Sequence, residues 1–273
     1  MTSKVTDHNP TVHDLKRPWA QMYEEQVKYI IELVNRGAAF PNTLEEGVGD
    51  SFEFQEYIRS LIGFTIEEIY EAFEVLENIL DSLSKNRADI QMIREYNEEA
   101  SDVLSFFGNL FFHLDIDEHF IADTYAHVAK EDKLFLPDNL TDPLLMGFHL
   151  AEERFNQEID NVEIAFMQSF QIPINQSAHA EVGGHVIGPT LMQEYQRGIF
   201  YTVQQLNCAR HNMKLKPWTV IAKETKWPEV KRGIALAFLN FCYCLVTVKH
   251  RPTMVAKTFL AKNIIKFERL EEK

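Results

Sequence analysis

The sequence has little cysteine and no long apolar run. Its three cysteines, Cys208, Cys242 and Cys244, are an odd number without zinc-site spacing, which argues against a disulfide framework and fits a reducing compartment. The longest apolar stretch, residues 235–248, is shorter than the roughly 20 residues that a membrane-spanning helix needs. Residues 1–16 are polar and do not resemble a signal peptide. We therefore expect a cytoplasmic protein with no membrane partner.

Basic residues are scarce relative to acidic ones. The chain of 273 residues carries 27 Lys and Arg against 41 Asp and Glu, which gives a formal net charge of −14. The segments 214–216 and 223–232 are basic only locally. A protein that grips a nucleic-acid backbone needs a concentrated basic face, so we expect no nucleic-acid partner. An acidic protein can still bind a polyanion when metal ions lie between the two.

Strand patterns are nearly absent, whereas apolar residues recur at helical spacing along most of the chain. Hydrophobic residues make up 45% of the sequence, and its 20 Phe residues lie mostly in these periodic runs, which indicates that they form the core. The pattern predicts an all-α fold with helices over residues 19–35, 52–84 (with a break near Gly63), 89–113, 117–130, 143–170, 192–213, 230–248 and 253–271.

The order of the predicted helices repeats. Each half of the chain reads as a helix, a long loop, a helix, a buried helix and a terminal helix. The run 104–111, which contains Asn109, resembles the run 236–241, which contains Asn240 131 positions later. Such self-similarity indicates an internal duplication. We predict two tandem helical units, residues 1–136 and 137–273, that together form a pseudo-dimer.

Four acidic residues form two pairs at helical spacing. Glu68 and Glu71 are three apart on one predicted helix, and Glu99 and Asp102 are three apart on the next. Residues at i and i+3 share a helix face, so two antiparallel helices would bring the four carboxylates together. Such a group stays ionised only with cations, and carboxylate oxygens favour Mg²⁺, or alternatively Mn²⁺. The alternative is that these acids form an ordinary solvated helix face.

Histidine motifs that would indicate other metal enzymes are missing. A ferritin-like di-iron site needs Glu-x-x-His, and none of the 10 histidines has a Glu three positions before it. The sole His-Asp pair, His13-Asp14, lies in the polar N-terminal tail, which argues against an HD-type phosphohydrolase. The sequence therefore favours a site built from carboxylates alone.

Residues 65–71 and 99–109 together resemble the all-α NTP pyrophosphohydrolases, the superfamily of the dimeric dUTPases and MazG-like enzymes. The closest likeness is to the bacteriophage dCTP/dUTP pyrophosphatases, whose second acidic helix is also followed by an aromatic-rich run with an Asn. The resemblance covers about residues 20–130. It implies Mg²⁺-dependent hydrolysis of a deoxynucleoside triphosphate, dCTP or dUTP, to the monophosphate and pyrophosphate, and tandem units of the MazG/dUTPase type.

The resemblance also implies roles for residues of the first unit. Asn109 would recognise the base, because a carboxamide can pair with a pyrimidine edge, and Gln26 and Phe106 are weaker candidates. Glu68 or Glu71 would activate the attacking water. All four acids would bind Mg²⁺: Glu68, Glu71, Glu99 and Asp102.

The family's terminal helix carries a Lys-Asn pair, then an aromatic residue and an Arg, which contact phosphates. The first unit has Val128-Ala129 at that place, whereas the second unit has Lys262-Asn263 followed by Arg269. The second unit in turn lacks the acids. We therefore predict one active site that combines the first unit's carboxylates with Lys262, Asn263 and Arg269, in a monomeric pseudo-dimer or a homodimer.

Two alternatives accompany this prediction. The basic residues of the last helix would form an ordinary charged face if they do not reach the carboxylates. A protein that kept the fold without the chemistry would be a nucleotide-binding or assembly protein. Metal-dependent release of pyrophosphate separates this second function from the enzyme.

Overall fold

The structure is a computed structural model that describes residues 18–37, 51–84, 90–117, 120–121, 123–124, 181–182, 185–186, 189–214, 224–247, 255, 258–263 and 266–267. Helices make up nearly all of this part of the chain, which confirms the predicted all-α class. The elements are α1 (Pro18–Asn35), α2 (Phe52–Ser84), α3 (Ile90–Leu114), β1 (Glu181–Val182), β2 (His185–Val186), α4 (Pro189–Asn212) and α5 (Trp227–Thr247). The two short strands pair antiparallel, with Glu181 opposite Val186.

α1 buries one stripe and ends at a glycine. Met22, Gln26 and Ile30, each four residues apart, are buried, so a single face of the helix packs against the rest of the protein. Gly37 has a φ of 90° and donates its backbone N–H to the Val34 carbonyl at 2.9 Å. Glycine adopts this left-handed conformation without steric cost, which explains why the helix stops here.

α2 is continuous, and the predicted break near Gly63 is wrong. The helix begins where the Ser51 hydroxyl accepts a hydrogen bond from the Phe54 backbone N–H at 3.1 Å. A glycine inside a helix costs only about 1 kcal/mol. Ile62 and Ile69 are fully buried on either side of Gly63, and this burial stabilises a continuous helix through the glycine.

The second half of α3 is buried on all sides but one. The exposed or half-buried positions of its second half form a single stripe of residues spaced three or four apart: Glu99, Asp102, Phe106, Asn109 and Phe112. The helix ends with Asp115 at a φ of 51°, and the Ile116 N–H reaches back to the Phe111 carbonyl at 2.9 Å. This is the hydrogen-bond pattern of a Schellman cap.

The described helices form two hairpins that share a core. α2 packs along α3, α4 packs along α5, α1 covers α3, and the hairpins meet through α2 with α4 and α3 with α5. The Phe107 ring lies 5.5 Å from that of Phe238 and 6.3 Å from that of Phe241. The two similar Phe-rich runs of the sequence therefore pack against each other. The tandem duplication itself stays a prediction.

Several predicted features differ from the structure or lie outside the described residues. α5 begins at Trp227, earlier than predicted, because Pro228 is tolerated in the first turn of a helix. The described residues within 117–130 and 253–271 are largely helical. The predicted helix 143–170 and the boundary between residues 136 and 137 lie outside the described residues. In the part of the chain that the structure describes, no helix has the length and apolar character needed to span a membrane.

Candidate metal centre

α2 and α3 run antiparallel in a register that two contacts define. The Tyr57 hydroxyl lies 3.1 Å from His113 Nε2, and the Phe64 and Phe106 rings lie 5.8 Å apart. The second contact lies seven residues after the first along α2, at 64 instead of 57, and seven residues before it along α3, at 106 instead of 113. The same register continues to the two acidic pairs: Glu68 lies level with Asp102, and Glu71 with Glu99.

Three of the four predicted acids converge. Glu68, Glu71 and Glu99 each offer one carboxylate oxygen, and these oxygens lie within 4.8 Å of one another. Mg²⁺ binds oxygen at about 2.0–2.1 Å and keeps several sites for water and substrate phosphates. The donor set therefore fits a hard divalent cation.

Electrostatics within the cluster also favour a cation. The pKa of Glu68 is raised from 4.5 to about 7, first by burial and then by the charges of Asp102, Glu71 and Glu99, while Lys262 opposes the rise. Burial and Asp102 raise the pKa of Glu99 as well. Carboxylates with raised pKa values are destabilised as anions. A divalent cation would relieve this repulsion.

The fourth acid, Asp102, is paired with a lysine from the other end of the chain. Lys262 Nζ donates to Asp102 Oδ2 and, at 3.3 Å, to the Glu98 carbonyl oxygen. The Lys262 and Asp102 side chains are 27% and 26% exposed, so the ion pair is partly shielded from water. The fold thus brings the predicted Lys262 to the carboxylates, where it pairs with Asp102, the one predicted acid outside the three converging glutamates.

Lys266 is a second lysine at this site that we did not predict. Its Nζ lies 5.7 Å from the centre of the Tyr29 ring, and that ring packs edge-on against Phe267 at 5.6 Å. Burial lowers the pKa of Lys266, Asp102 opposes this effect, and Lys262 adds to it. Lys266 follows Lys262 by four residues, one helical turn, and this spacing was the signal in the sequence that could have identified it.

The two predicted base-recognition residues contact each other. Gln26 Nε2 donates to Asn109 Oδ1 at 2.6 Å, and the Ser105 hydroxyl donates to Gln26 Oε1 at 3.2 Å. A Cβ added at Gly108 would lie 3.2 Å from Gln26 Cγ, so the glycine allows α1 to approach α3 closely here. Gln26 is thus buried between the helices, and Asn109 is the amide that reaches the half-exposed stripe of α3.

An aromatic pair lies between the carboxylates and Asn109. Phe106 occupies the stripe of α3 four residues after Asp102 and three before Asn109, and it contacts Phe64 of α2. Phe64 is 49% exposed, so this aromatic pair reaches the surface of the hairpin. We did not predict a role for Phe64, although it precedes Glu68 by one helical turn.

Two further residues were predicted to contact phosphates, Asn263 and Arg269, and the structure describes only the first. Asn263 is 2% exposed, and neither polar atom of its side chain has a hydrogen-bond partner among the described residues. A buried amide without partners is uncommon. Arg269 lies outside the described residues.

Comparisons of the chain with protein families, with curated proteins and with solved structures give no match. The resemblance to the all-α NTP pyrophosphohydrolases therefore rests on the sequence motifs alone. The geometry of the carboxylates and lysines is an observation independent of that resemblance.

Proposed function

We propose that this chain is a Mg²⁺-dependent deoxynucleoside triphosphate pyrophosphohydrolase that converts dCTP or dUTP to the monophosphate and pyrophosphate, with Mn²⁺ as an alternative metal. The observation that carries the proposal is the convergence of Glu68, Glu71 and Glu99, whose oxygens lie within 4.8 Å of one another, beside Lys262. Carboxylates and lysines around one spot suit a polyphosphate that arrives with metal ions.

Opposite charges lie on different elements around the proposed site. The carboxylates belong to α2 and α3, whereas Lys262 and Lys266 belong to the C-terminal helical segment. Lys266 makes no direct hydrogen bond or ion pair within the described ranges, so its ammonium donors remain for phosphate oxygens. The lysines would neutralise the charge of the pyrophosphate leaving group.

The base would lie further along the same stripe of α3. Asn109 follows Asp102 by seven residues, about 10 Å along the helix axis. This separation is within the length of an extended nucleotide, so the triphosphate can sit at the carboxylates while the base reaches Asn109. Phe64 and Phe106 lie between these two ends, where they would contact the deoxyribose or the face of the base.

The proposed reaction is attack by water on a phosphorus of the triphosphate, with departure of pyrophosphate from the nucleoside monophosphate. Mg²⁺, held by Glu68, Glu71 and Glu99, would neutralise phosphate charge and lower the pKa of water. Glu68 or Glu71 would accept the proton of the attacking water. Lys262 and Lys266 would hold the leaving group.

The pseudo-dimer is part of the same proposal. Its support is that Lys262, from the second predicted unit, contacts Asp102 of the first across 160 residues of chain. A single site assembled in this way would serve a monomeric pseudo-dimer or each half of a homodimer.

The test is release of pyrophosphate from each of the canonical deoxynucleoside triphosphates with Mg²⁺, by the wild type and by Glu99→Gln. We expect hydrolysis of dCTP or dUTP by the wild type. Glu99→Gln removes one of the three carboxylates and should lower kcat/KM by about 100-fold or more, which corresponds to about 2.7 kcal/mol.

Glu98→Gln is the matched control. Glu98 is the adjacent residue, its side chain is exposed, and it does not belong to the group of converging carboxylates. Its replacement should leave kcat/KM within about twofold. If the wild type releases no pyrophosphate with Mg²⁺ or Mn²⁺, or if both variants lose activity equally, the proposed function is wrong.

A further inference from the structure

A groove between α2 and α4 carries the two most exposed large apolar side chains of the described residues. Phe200 is 65% exposed and Tyr70 is 53% exposed. Both line the groove, together with the apolar side chains of Phe73, Ile199 and Val203. Single exposed apolar residues are common on protein surfaces, but neighbouring ones beside an apolar groove mark an interaction surface. This face therefore has the composition of a docking surface.

The two helices that form the groove are antiparallel. Near one end, Arg59 of α2 donates to the carbonyl oxygen of Met213, the residue that follows α4, at 3.3 Å. Near the other end, the rings of Phe73 and Tyr195 stack with their centres 6.0 Å apart. Residue numbers therefore rise along α2 in the direction in which they fall along α4.

Each helix presents an exposed stripe of residues spaced three or four apart beside the groove. The stripe of α2 consists of Glu67, Tyr70, Glu74 and Glu77. The stripe of α4 consists of Arg197, Phe200, Gln204 and Asn207. This spacing keeps side chains on one face of a helix, as in the contact seam of paired helices. Each stripe thus combines one exposed aromatic ring with polar or charged neighbours.

The two sides of the groove differ in charge. Residues 60–84 of α2 include six Asp or Glu and no Lys, Arg or His. Residues 195–214, which contain most of α4, include three Lys or Arg and no Asp or Glu. Because the whole chain carries a net charge of −14, two copies repel each other unless opposite charges meet at their contact. The groove offers both signs, one on each side.

We infer that this groove is the interface of a homodimer, in which a second copy of the chain covers it through a two-fold axis parallel to α2 and α4. The inference is independent of the proposed hydrolysis. With this axis, α2 of one copy lies over α4 of the other, at the same level. Tyr70 then packs on the second copy's Phe200, and Glu74 lies within about one helical turn of the second copy's Arg197. Two-fold symmetry makes each contact twice.

The charges select this axis over the other way of placing the two grooves face to face. A two-fold axis perpendicular to the helices would place α2 over the second copy's α2. Glu67 and Glu74 would then face acidic residues of the same stripe, and like charges opposed across an interface are costly. A second copy is also the occupant that explains why one side is acidic and the other basic, since an isologous interface must be complementary to itself.

The proposed interface leaves the carboxylate cluster open. Glu68 and Glu71 converge with Glu99 of α3, so they face α3 and not the groove. Two adjacent helices over about 15 residues present a face of roughly 400–500 Å². This area is below the about 800 Å² per partner of a standard stable interface. We therefore expect a dimer that dissociates on dilution.

Sedimentation velocity of the full chain, without nucleotide or metal, tests the inference over about 1 to 200 μM. The wild type should show a concentration-dependent equilibrium between monomer and dimer. Phe200→Glu should raise the dissociation constant at least about tenfold, because it places two charges in the apolar contact. Ile31→Glu is the matched control, since Ile31 is 49% exposed on α1, outside the groove. Its dissociation constant should equal that of the wild type.

A charge exchange tests the direction of the axis. Glu74→Arg and Arg197→Glu should each raise the dissociation constant about tenfold, because each places like charges opposite one another twice. The double variant restores opposite charges, so its dissociation constant should return to within about threefold of the wild type. A general loss of folding in the single variants would not be repaired in this way.

Three results would overturn the inference. The first is a wild type that stays monomeric up to the highest concentration, which would leave the groove to another occupant. The second is a dimer that Phe200→Glu does not weaken, and the third is a double variant no tighter than the single variants. Pyrophosphate release is measured separately, so the proposed function can stand or fail with either outcome.

Discussion

The hairpins α2–α3 and α4–α5 carry different residues at positions that are 131 residues apart in the sequence. α2–α3 has charged residues there, half-buried or exposed: Glu68, Glu71, Glu99 and Asp102. α4–α5 has buried residues at the matching positions: Ile199, Thr202, Val230 and Gly233. One hairpin therefore presents a carboxylate cluster to solvent, whereas the other places the same positions in the core.

Gly233 shows how the second hairpin closes. A Cβ at this position would lie 3.1 Å from the Cβ of Ala209 and 3.2 Å from the Gln205 carbonyl oxygen, so the two helices touch. The matching position of the first hairpin holds Asp102, whose carboxylate reaches Lys262. A few side chains therefore separate a helical hairpin that exposes carboxylates from one that forms a sealed core.

The largest effect is expected when Gly233 of the second hairpin is replaced by aspartate, the residue at the matching position of the first hairpin. Gly233→Asp would place an unpaired charge where there is no space for a side chain, and should lower the free energy of unfolding by about 3–5 kcal/mol. Urea unfolding measures this change. The matched control is Gly63→Asp, because nothing lies within 4 Å of a Cβ at Gly63. Equal losses in both variants would contradict the contrast.

Replacing Gly233 and Gly63 separately with alanine tests the same difference in packing with a smaller side chain. Gly233→Ala should destabilise the protein by about 1–3 kcal/mol, because the added methyl group pushes α4 and α5 apart. Gly63→Ala should stabilise it by about 0.5–1 kcal/mol, because alanine favours the helix and the site has space. Thermal unfolding, followed by circular dichroism, shows whether each substitution raises or lowers the stability. Changes of the same sign would show that the hairpins are packed alike.

A third substitution removes Lys262, which pairs with Asp102 of the first hairpin, and tests how this lysine affects cation binding at the carboxylates. Lys262→Met should raise the affinity for Mn²⁺ about tenfold, because Asp102 would then face the cation without its counter-charge, while kcat/KM falls at least as much. Calorimetric titration with Mn²⁺ measures the affinity. Lys231→Met is the control, since Lys231 binds the Asp115 carbonyl at 3.1 Å and not a carboxylate. Equal effects in the two variants would argue against a role for Lys262.

The pH dependence of stability should be the smallest effect, because water partly screens the cluster. The pKa of Glu68 is raised from 4.5 to about 7, so between these pH values the folded protein binds more protons than the unfolded chain. Stability without metal should therefore fall as the pH rises through this window. Saturating Mg²⁺ should remove the fall, because the cation stabilises the ionised carboxylates. Thermal unfolding with and without Mg²⁺ checks this, and Glu68→Gln should lose most of the slope.

Local sequence signals predicted the five long helices that the structure describes and most of the carboxylate cluster. The bounds of α2 agree with its apolar periodicity, and α3 is displaced by one residue at each end. The spacing of Glu68 with Glu71 and of Glu99 with Asp102 places each pair on one helix face. Because consecutive helices commonly pack antiparallel, this spacing was enough to predict that the acids converge.

The remaining parts of the site depend on contacts that no local pattern encodes. The spacing of Lys266 after Lys262 indicates that the two lysines share a helix face, but the position of Lys266 over Tyr29 joins residues far apart in the chain, and no local pattern indicates that contact. The Gln26–Asn109 hydrogen bond depends on the approach of α1 to α3 at Gly108. The sequence offered both amides as candidates for base recognition, but their contact with each other follows from tertiary packing alone.

The ion pair between Lys262 and Asp102 closes a loop of 160 residues. Bringing such distant residues together is slow, because the entropy of a long loop must be overcome before the contact contributes anything. The three glutamates lie on neighbouring helices and can meet as soon as α2 and α3 pair. During refolding, cation binding should therefore return before the proposed hydrolysis, which would then report on the last long-range contacts to form.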